Sequence, residues 1–185
     1  MYIIAFGAST SKESINKKFA HHVSSLFAYS TFELLDLNDY PLPLFSVDVE
    51  KEKGIPQNVI HFYDKIQTAD LLVISLAEHN GTYTAAFKNL MDWLSRYVSK
   101  FFNQKKLLLL STSTGKRGGK GVMDAALIRF PIHGADIMES FSFPSFNENF
   151  TSSGKIVDEE LKNQLNLIIQ KLTKQYEMAD EQTKT

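Results

Sequence analysis

The chain has 185 residues, with 20 basic and 21 acidic side chains and a formal net charge of -1. This length suits one domain with a sizeable core, and the near-neutral balance provides no electrostatic attraction to nucleic acid or to an anionic membrane surface. The sequence has no cysteine, which excludes disulfides, thiolate catalysis and cysteine-based metal sites.

Apolar runs and amphipathic segments alternate five times along the chain. The runs predict strands at residues 2–6, 31–37, 71–76, 107–111 and 135–141. Helical spacing of apolar residues predicts helices at 15–26, 56–69, 84–101, 120–131 and 157–176, with a surface loop at 48–54. Such alternation indicates a parallel sheet with right-handed crossovers and helices on both faces. Five units suit the α/β flavodoxin-like strand order 2-1-3-4-5, in which ligands bind at the carboxyl ends of the strands.

Neither an internal repeat nor a linker divides the chain. We therefore predict a single domain over residues 1–176, followed by a polar, frayed tail over 177–185. The first residues form neither a basic leader nor an apolar stretch long enough to span a bilayer. We expect a cytoplasmic location, with no membrane and no nucleic-acid partner.

The loop after the first predicted strand has the features of a phosphate cradle. It runs from Gly7 to Asn16, carries four hydroxyl side chains, and precedes a helix N-terminus, where free N–H groups and the helix dipole favour an anion. Lys12 adds a positive charge. The loop has one glycine and no GK[ST] ending, which favours a monophosphate over a dinucleotide or triphosphate. An ordinary helix cap in a Ser-rich turn is the alternative.

Two further loops leave the same edge of the predicted sheet. In the first of them, Asn80-Gly81 predicts a tight turn with positive φ, while His79 and Tyr83 offer flat surfaces for stacking on an aromatic ring. In the second, residues 111–119 are rich in Ser, Thr and Gly, so the backbone can approach a ligand closely. The alternatives are a plain strand-to-helix turn and a flexible loop with solvated cations.

Residues 78–95 resemble the pattern P-E-Y-N-x-S-x-P-x-x-L-K-N-x-x-D-W-L-S of the NAD(P)H-dependent FMN reductases, a family that includes quinone, chromate and azo-compound reductases. Identical positions are Glu78, Asn80, Lys88, Asn89, Asp92, Trp93, Leu94 and Ser95. Residues 111–119 are similar to the family loop S-S-x-G-x-x-G-G. The first loop resembles G-S-x-R-x-x-S-x-N through Gly7, Ser14 and Asn16.

The resemblance implies that FMN is the cofactor and that NADPH or NADH is the reductant. It implies three groups of cofactor-binding residues. The phosphate group is held by Ser9, Thr10, Ser11, Ser14, Ile15 and Asn16. The ring is edged by Glu78, His79, Asn80 and Gly81, and its pyrimidine end is contacted by Ser111, Thr112, Ser113 and Gly115.

Several residues of the sequence depart from the family pattern. Thr10 stands at the family Arg, which removes a bidentate phosphate partner unless Lys12 or Lys17 substitutes. Ala77, His79 and Thr84 replace Pro, Tyr and Pro.

The function implied is ping-pong hydride transfer from NAD(P)H to a small acceptor such as a quinone, a flavin or an azo compound. The cofactor carries this chemistry, so we predict no catalytic side chain. The histidines lack metal-ligand spacing, so we predict no metal. A flavodoxin-type electron carrier and a flavin-free paralogue with an interaction role are the alternatives.

The family also implies a homodimer or homotetramer, with the helix that carries residues 92–95 at the interface. Trp93 lies in this helix, and its spacing is typical of a core or interface residue. The Phe-rich residues 141–146 either contact a partner or cover the core of their own chain.

Overall fold

A computed structural model describes residues 1–182, with side chains up to Met178. The strands are β1 (Tyr2–Ala8), β2 (Thr31–Leu35), β3 (Leu71–Leu76), β4 (Glu78–His79), β5 (Thr82–Tyr83), β6 (Lys106–Thr112) and β7 (Asp136–Phe143). The helices are α1 (Ile15–Ser25), α2 (Val47–Lys53), α3 (Gln57–Gln67), α4 (Ala85–Tyr97), α5 (Lys120–Ile132), α6 (Phe146–Asn149) and α7 (Glu159–Gln182). A 3₁₀ turn spans Leu37–Asp39.

Five strands form one parallel sheet in the order β2-β1-β3-β6-β7. This is the predicted flavodoxin-like order, since the two short strands β4 and β5 pair only with each other. Ala8 lies opposite Leu76, and Leu76 lies opposite Ser111. The three central strands therefore end at the same edge, and the loops that follow them start side by side.

Helices cover both faces of the sheet. On one face α3, α4 and α5 bury an apolar cluster that includes Phe62, Trp93 and Phe130. On the other face α1 and α7 bury Phe19 and Leu172. This double covering explains why β3 is apolar over nearly its whole length and fully buried. Each of these large side chains contributes roughly 2–3 kcal/mol through its burial.

Several boundaries differ from the prediction for local reasons. The segment predicted as a surface loop at 48–54 contains α2, because Ser46 caps it by accepting a hydrogen bond from the Val49 N–H (3.1 Å). The second strand stops at Leu35, because the Asp36 carboxylate accepts the Asn38 N–H and starts the 3₁₀ turn. Helix α4 ends four residues before the predicted 101.

The C-terminal helix is longer than predicted. Helix α7 continues through Gln182, so part of the predicted frayed tail is helical. Residues 183–185 of that tail lie outside the described residues. Within residues 1–182, none of the helices combines the length and the apolar character needed to cross a membrane.

The residues of the family motif on α4 serve the fold of their own chain. Trp93 is fully buried, and its indole N–H donates to the Pro43 carbonyl (2.8 Å). The Asn89 amide accepts the Phe45 N–H (2.8 Å) and donates to Pro43 (3.0 Å). Trp93 is therefore a core residue that anchors residues 43–45, which is one of its two predicted roles. The place of its helix at a subunit interface stays a prediction. Phe143 is likewise buried in its own core.

Candidate functional site

Three loops enclose a cleft of about 290 Å³ at the carboxyl edge of the sheet. Each loop follows one of the central strands β1, β3 and β6. The lining residues are Ser9, Ser11, Glu13, Ser14, Ile15 and Asn16 from the first loop, Ala77, Glu78 and His79 from the second, and Thr112, Ser113 and Thr114 from the third. Nine of the fourteen residues predicted to bind the cofactor thus lie together, and five do not.

The first loop brings a helix N-terminus directly to the cleft. Gly7 permits this, because a Cβ at this position would overlap the backbone of Lys17. Ser14 caps α1, and its hydroxyl accepts the Lys17 N–H (3.1 Å). The N–H groups of Ile15 and Asn16 have no acceptor in the described part of the chain. Amides of this kind at the positive end of a helix favour an anion such as a phosphate group.

Asn16 has a different role from the predicted one. Its side chain is buried, and its Oδ1 accepts hydrogen bonds from the Ser75 hydroxyl (2.7 Å) and from the Thr112 N–H (3.2 Å). Its Nδ2 donates to the Thr112 carbonyl (3.2 Å). The side chain therefore joins α1 to β3 and β6, which leaves only its backbone N–H for a ligand. Ser75 is a polar residue within an otherwise apolar strand, and this feature of the sequence could have indicated the network.

The charges around the first loop also differ from expectation. The ammonium group of Lys17 pairs with Asp36, so Lys17 does not replace the missing family Arg. Lys12 is exposed on the loop and is the remaining candidate. At the rim, the hydrogen bond from Lys18 (2.7 Å) lowers the pKa of Glu13. Thr10 does not line the cleft; it faces a separate cavity of about 260 Å³ beside Tyr40.

The second loop is a small hairpin formed by β4 and β5. Asn80 and Gly81 both have positive φ (51° and 80°), which confirms the predicted tight turn. Both residues are exposed at the tip of the hairpin and do not line the cleft. Thr84 fixes the far end, since its hydroxyl donates to the Ala8 carbonyl (3.0 Å) and accepts the Phe87 N–H (3.2 Å).

Glu78 joins the hairpin to the third loop. Its Oε2 accepts the Val122 N–H (2.9 Å) at the N-terminus of α5, where the helix dipole favours a carboxylate. Its Oε1 lies 3.7 Å from the guanidinium of Arg117. The Glu78 side chain is only 14% exposed, so these contacts hold it in one place. Glu78 is thus a positioning residue for the edge of the cleft.

Tyr83 faces the protein core, so its predicted role in stacking on a ligand was wrong. Its ring is parallel to that of Phe130 (centroids 6.1 Å apart, interplanar angle 7°) and contacts Phe87 edge-on. Its hydroxyl is buried and has no hydrogen-bond partner among the described residues. Burial raises the pKa of Tyr83 to about 12. His79, in contrast, is exposed and lines the cleft.

The third loop is held by the segment that follows β7. Thr112 donates its hydroxyl proton to the Phe143 carbonyl (2.8 Å), and the Ser113 carbonyl accepts the Phe146 N–H (3.0 Å). Ser111 is buried and donates to the Gly118 carbonyl (2.7 Å), so it does not reach the cleft. Gly115 does not line the cleft either. Three cleft residues, Glu13, Ala77 and Thr114, were not predicted.

Among the side chains that the structure describes, up to Met178, the titratable groups do not cluster as a metal site. No group of three or more His, Asp or Glu residues among them has the arrangement needed to hold a metal ion.

The chain belongs to the NADPH-dependent FMN reductase family, whose model matches residues 1–148. It is therefore an oxidoreductase that uses FMN and a reduced nicotinamide. It is 30% identical over 141 residues to an NADPH:quinone oxidoreductase of Arabidopsis thaliana, covering 74% of this chain and 70% of the relative. It is 29% identical over 155 residues to an uncharacterized protein of Mycoplasma pneumoniae, covering 81% of this chain and 91% of that protein.

Solved structures agree with the fold. The flavoenzyme NAD(P)H:(acceptor) oxidoreductase FerB from Paracoccus denitrificans superposes with a TM-score of 0.75 over 94% of this chain and 95% of its own. The two sequences are 22% identical, so this likeness concerns the fold alone.

The residues of the cleft fit FMN. The free N–H groups of Ile15 and Asn16 suit its phosphate, and the hairpin and third loop provide backbone edges opposite them. Ala77 and Ser113, which line the cleft on these two loops, have small side chains, which suits a flat ring.

Proposed function

We propose that this protein transfers electrons from NADPH or NADH to a small acceptor, such as a quinone, a flavin or an azo compound, in a ping-pong reaction on FMN. The observation that carries the proposal is the convergence of three strand-end loops on one cleft, with two unpaired amides at the N-terminus of α1. Family membership supports the cofactor, and the quinone oxidoreductase relative supports the class of acceptor.

Several residues of the first loop and of α1 contribute to the binding of the FMN phosphate. Ser14 shapes the first turn of α1, so that the Ile15 and Asn16 amides point to the phosphate. Lys12 adds charge from the loop. Glu13 is ionised at the rim, so Lys18, its partner, limits the repulsion that this carboxylate exerts on a phosphate. The binding of the phosphate therefore rests on these amides and on Lys12.

At the end of the cleft that would hold the flavin ring, hydrogen bonds within the protein hold the polar groups in place. Glu78 holds the hairpin to α5, and Asn16 holds the first loop to the third through Thr112. Both oxygens of the Glu78 carboxylate are engaged, one by the Val122 N–H and one by Arg117, so Glu78 serves to position the hairpin. When bound, FMN supplies the redox chemistry, and the side chains of the cleft orient it and polarise its edge. We accordingly assign no catalytic side chain.

The proposal also includes the oligomeric state and the cellular location of the protein. A homodimer or homotetramer is supported by α5, whose outer face exposes Leu127, Ile128 and Ile132. A cytoplasmic location remains a prediction from the sequence.

A turnover assay tests the function. Purified protein is assayed with NADPH and NADH against a panel of quinones and azo dyes, and we expect parallel double-reciprocal lines for the best pair. Thr114→Trp fills the cleft and should abolish both flavin content and turnover. Thr31→Trp is the matched control, because Thr31 is also exposed but lies at the amino end of β2, on the opposite edge. Full flavin content and turnover in Thr114→Trp would contradict the proposal.

The two alternatives give other results in the same assay. An electron carrier would hold flavin but turn over slowly with either nicotinamide. A flavin-free paralogue would be colourless even after incubation with FMN.

A further inference from the structure

A second and larger depression adjoins the cleft. This groove, of about 850 Å³, lies between α1 and residues 146–154. On the helix side Ile15, Lys18, His22 and Ser25 form one row. From Ile15 to Ser25 the row is about 15 Å long, at the helical rise of about 1.5 Å per residue. Ile15 lines both the groove and the cleft, so the two are continuous.

The groove combines basic and aromatic side chains. Four of its lining residues, Lys17, Lys18, His21 and His22, are basic, and none of the lining residues is acidic. Phe146 and Phe150 also line it.

Not all of the basic groups are free. Lys17 is engaged with Asp36. Lys18 pairs with Glu13 at the surface, where the two side chains are 51% and 84% exposed. Such a pair contributes about 0–1 kcal/mol, so Lys18 can turn to an incoming phosphate. Burial lowers the pKa of His22, so this residue presents a neutral ring beside Phe150 (centroids 5.2 Å apart).

The far wall of the groove is fixed to the cleft. Phe146 stacks on Phe150 (centroids 4.7 Å apart, interplanar angle 23°), and its N–H donates to the Ser113 carbonyl of the third loop. Hydroxyl groups of Thr151, Ser152 and Ser153 complete this wall. A flat aromatic base with a phosphorylated sugar matches this combination of aromatic walls, hydroxyls and a cation.

We propose that the groove binds the adenosine-phosphate end of a dinucleotide whose other end lies in the cleft. The proposal rests on the proposed function, because it takes the cleft as the flavin site. Two molecules share this chemistry: the reducing nicotinamide dinucleotide and FAD. The first would reach the groove past Ser113 and Phe146, and the second would reach it past Ile15.

Calorimetry with fragments tests the groove. Purified protein as isolated is titrated with 2′,5′-ADP and with 5′-AMP. We expect saturable binding of at least one of them, and at least a fivefold loss of affinity in Lys18→Glu. Lys88→Glu is the matched control, because Lys88 is similarly exposed (54%) and paired, with Asp92, but lies on α4 across the sheet. This control should bind as the wild type does.

A second variant fills the groove without removing a contact. Asn147 is exposed on α6 and lines the groove. Asn147→Trp should abolish fragment binding and leave the flavin content unchanged. Binding that neither variant weakens, or no binding of either fragment to flavin-loaded protein, would overturn the proposal.

The same samples show which molecule supplies the adenosine, the nicotinamide dinucleotide or FAD. Chromatography of the flavin released by denaturation identifies FMN or FAD. FMN together with tight 2′,5′-ADP binding supports the nicotinamide dinucleotide. Released FAD would assign the groove to the adenylate of the cofactor and would contradict FMN as the cofactor. A colourless protein that still binds either fragment contradicts the proposed function but supports nucleotide binding in the groove.

Discussion

Asn16 and Thr112 form a reciprocal pair of hydrogen bonds beneath the cleft. The Thr112 N–H donates to Asn16 Oδ1, and Asn16 Nδ2 donates to the Thr112 carbonyl, both at 3.2 Å. The two residues are 96 positions apart in the sequence. This pair joins the loop after β1 to the end of β6, and Ser75 adds β3 through the same Oδ1. One buried amide thus sets the relative position of the first and third loops.

Asn16→Ala should destabilise the protein and loosen the cleft. The substitution removes three buried hydrogen bonds, one with the Ser75 hydroxyl and two with the backbone of Thr112, at a cost of about 3 kcal/mol or more in the free energy of unfolding. Urea unfolding measures this loss. Asn163→Ala on α7, at an exposed position, is the control and should change stability by less than about 0.5 kcal/mol. Equal stability of the two variants would contradict the structural role of Asn16.

Ser14→Ala separates helix capping from phosphate binding. Ser14 and Ser46 cap α1 and α2 in the same way, each accepting an N–H at 3.1 Å. Both alanine variants should lose about 1 kcal/mol of stability through the lost cap. Only Ser14→Ala should weaken FMN binding, and riboflavin, which has no phosphate, should bind equally to wild type and variant. Fluorescence titration checks both ligands. A similar loss of FMN affinity in Ser46→Ala would show that the effect is global.

Tyr83→Phe should be neutral or stabilising, because it removes a buried hydroxyl that has no hydrogen-bond partner within the described residues. Tyr176→Phe is the contrast, because it removes the hydrogen bond to the Asp70 carbonyl (2.8 Å) and should cost about 1 kcal/mol. Thermal unfolding at neutral pH compares the two variants.

The pH dependence of stability offers a second test at Tyr83. The pKa of Tyr83 in the folded protein is about 12, above the ordinary value of 10.0. The unfolded chain therefore loses this proton first, and stability falls as the pH rises from about 10 to about 12. Tyr83→Phe should lose less stability than the wild type over this range. An unchanged alkaline loss would mean that the hydroxyl is not buried.

Ile128→Asp should reduce self-association. Ile128 is 73% exposed on α5, beside the exposed Leu127 and Ile132. A carboxylate within an apolar contact costs several kcal/mol when it is buried without a partner. Sedimentation velocity should show a smaller species than that of the wild type. Glu148→Ala, on the exposed face of α6, is the control and should sediment like the wild type. An unchanged species in Ile128→Asp would place any interface elsewhere.

The strand order could be predicted because apolar runs and amphipathic segments alternate five times along the sequence. The position of the cleft could be predicted because apolar runs such as residues 71–76 end in polar turns. The Asn80-Gly81 turn was also predictable, since few residues accept positive φ. Helix α2 was not, because it buries none of its residues and has no apolar face to reveal it.

Side-chain directions at the cleft were the least predictable part of the site. Tyr83 and Ser111 face the protein because of contacts with Phe130 and Gly118, which are distant in the sequence or lie across a turn. Asn16 lies in the first turn of α1, at the end of a segment that resembles a phosphate loop, yet its partners belong to β3 and β6. Local pattern indicates which loops reach a site, whereas tertiary contacts decide which atoms face it.

A crystal structure of the protein grown with FMN tests the central claim most directly. We predict one FMN per chain, with its phosphate within hydrogen-bond distance of the Ile15 and Asn16 N–H groups and its ring between the hairpin and the third loop. An empty cleft in such crystals, or FMN bound only at another surface, would contradict the account.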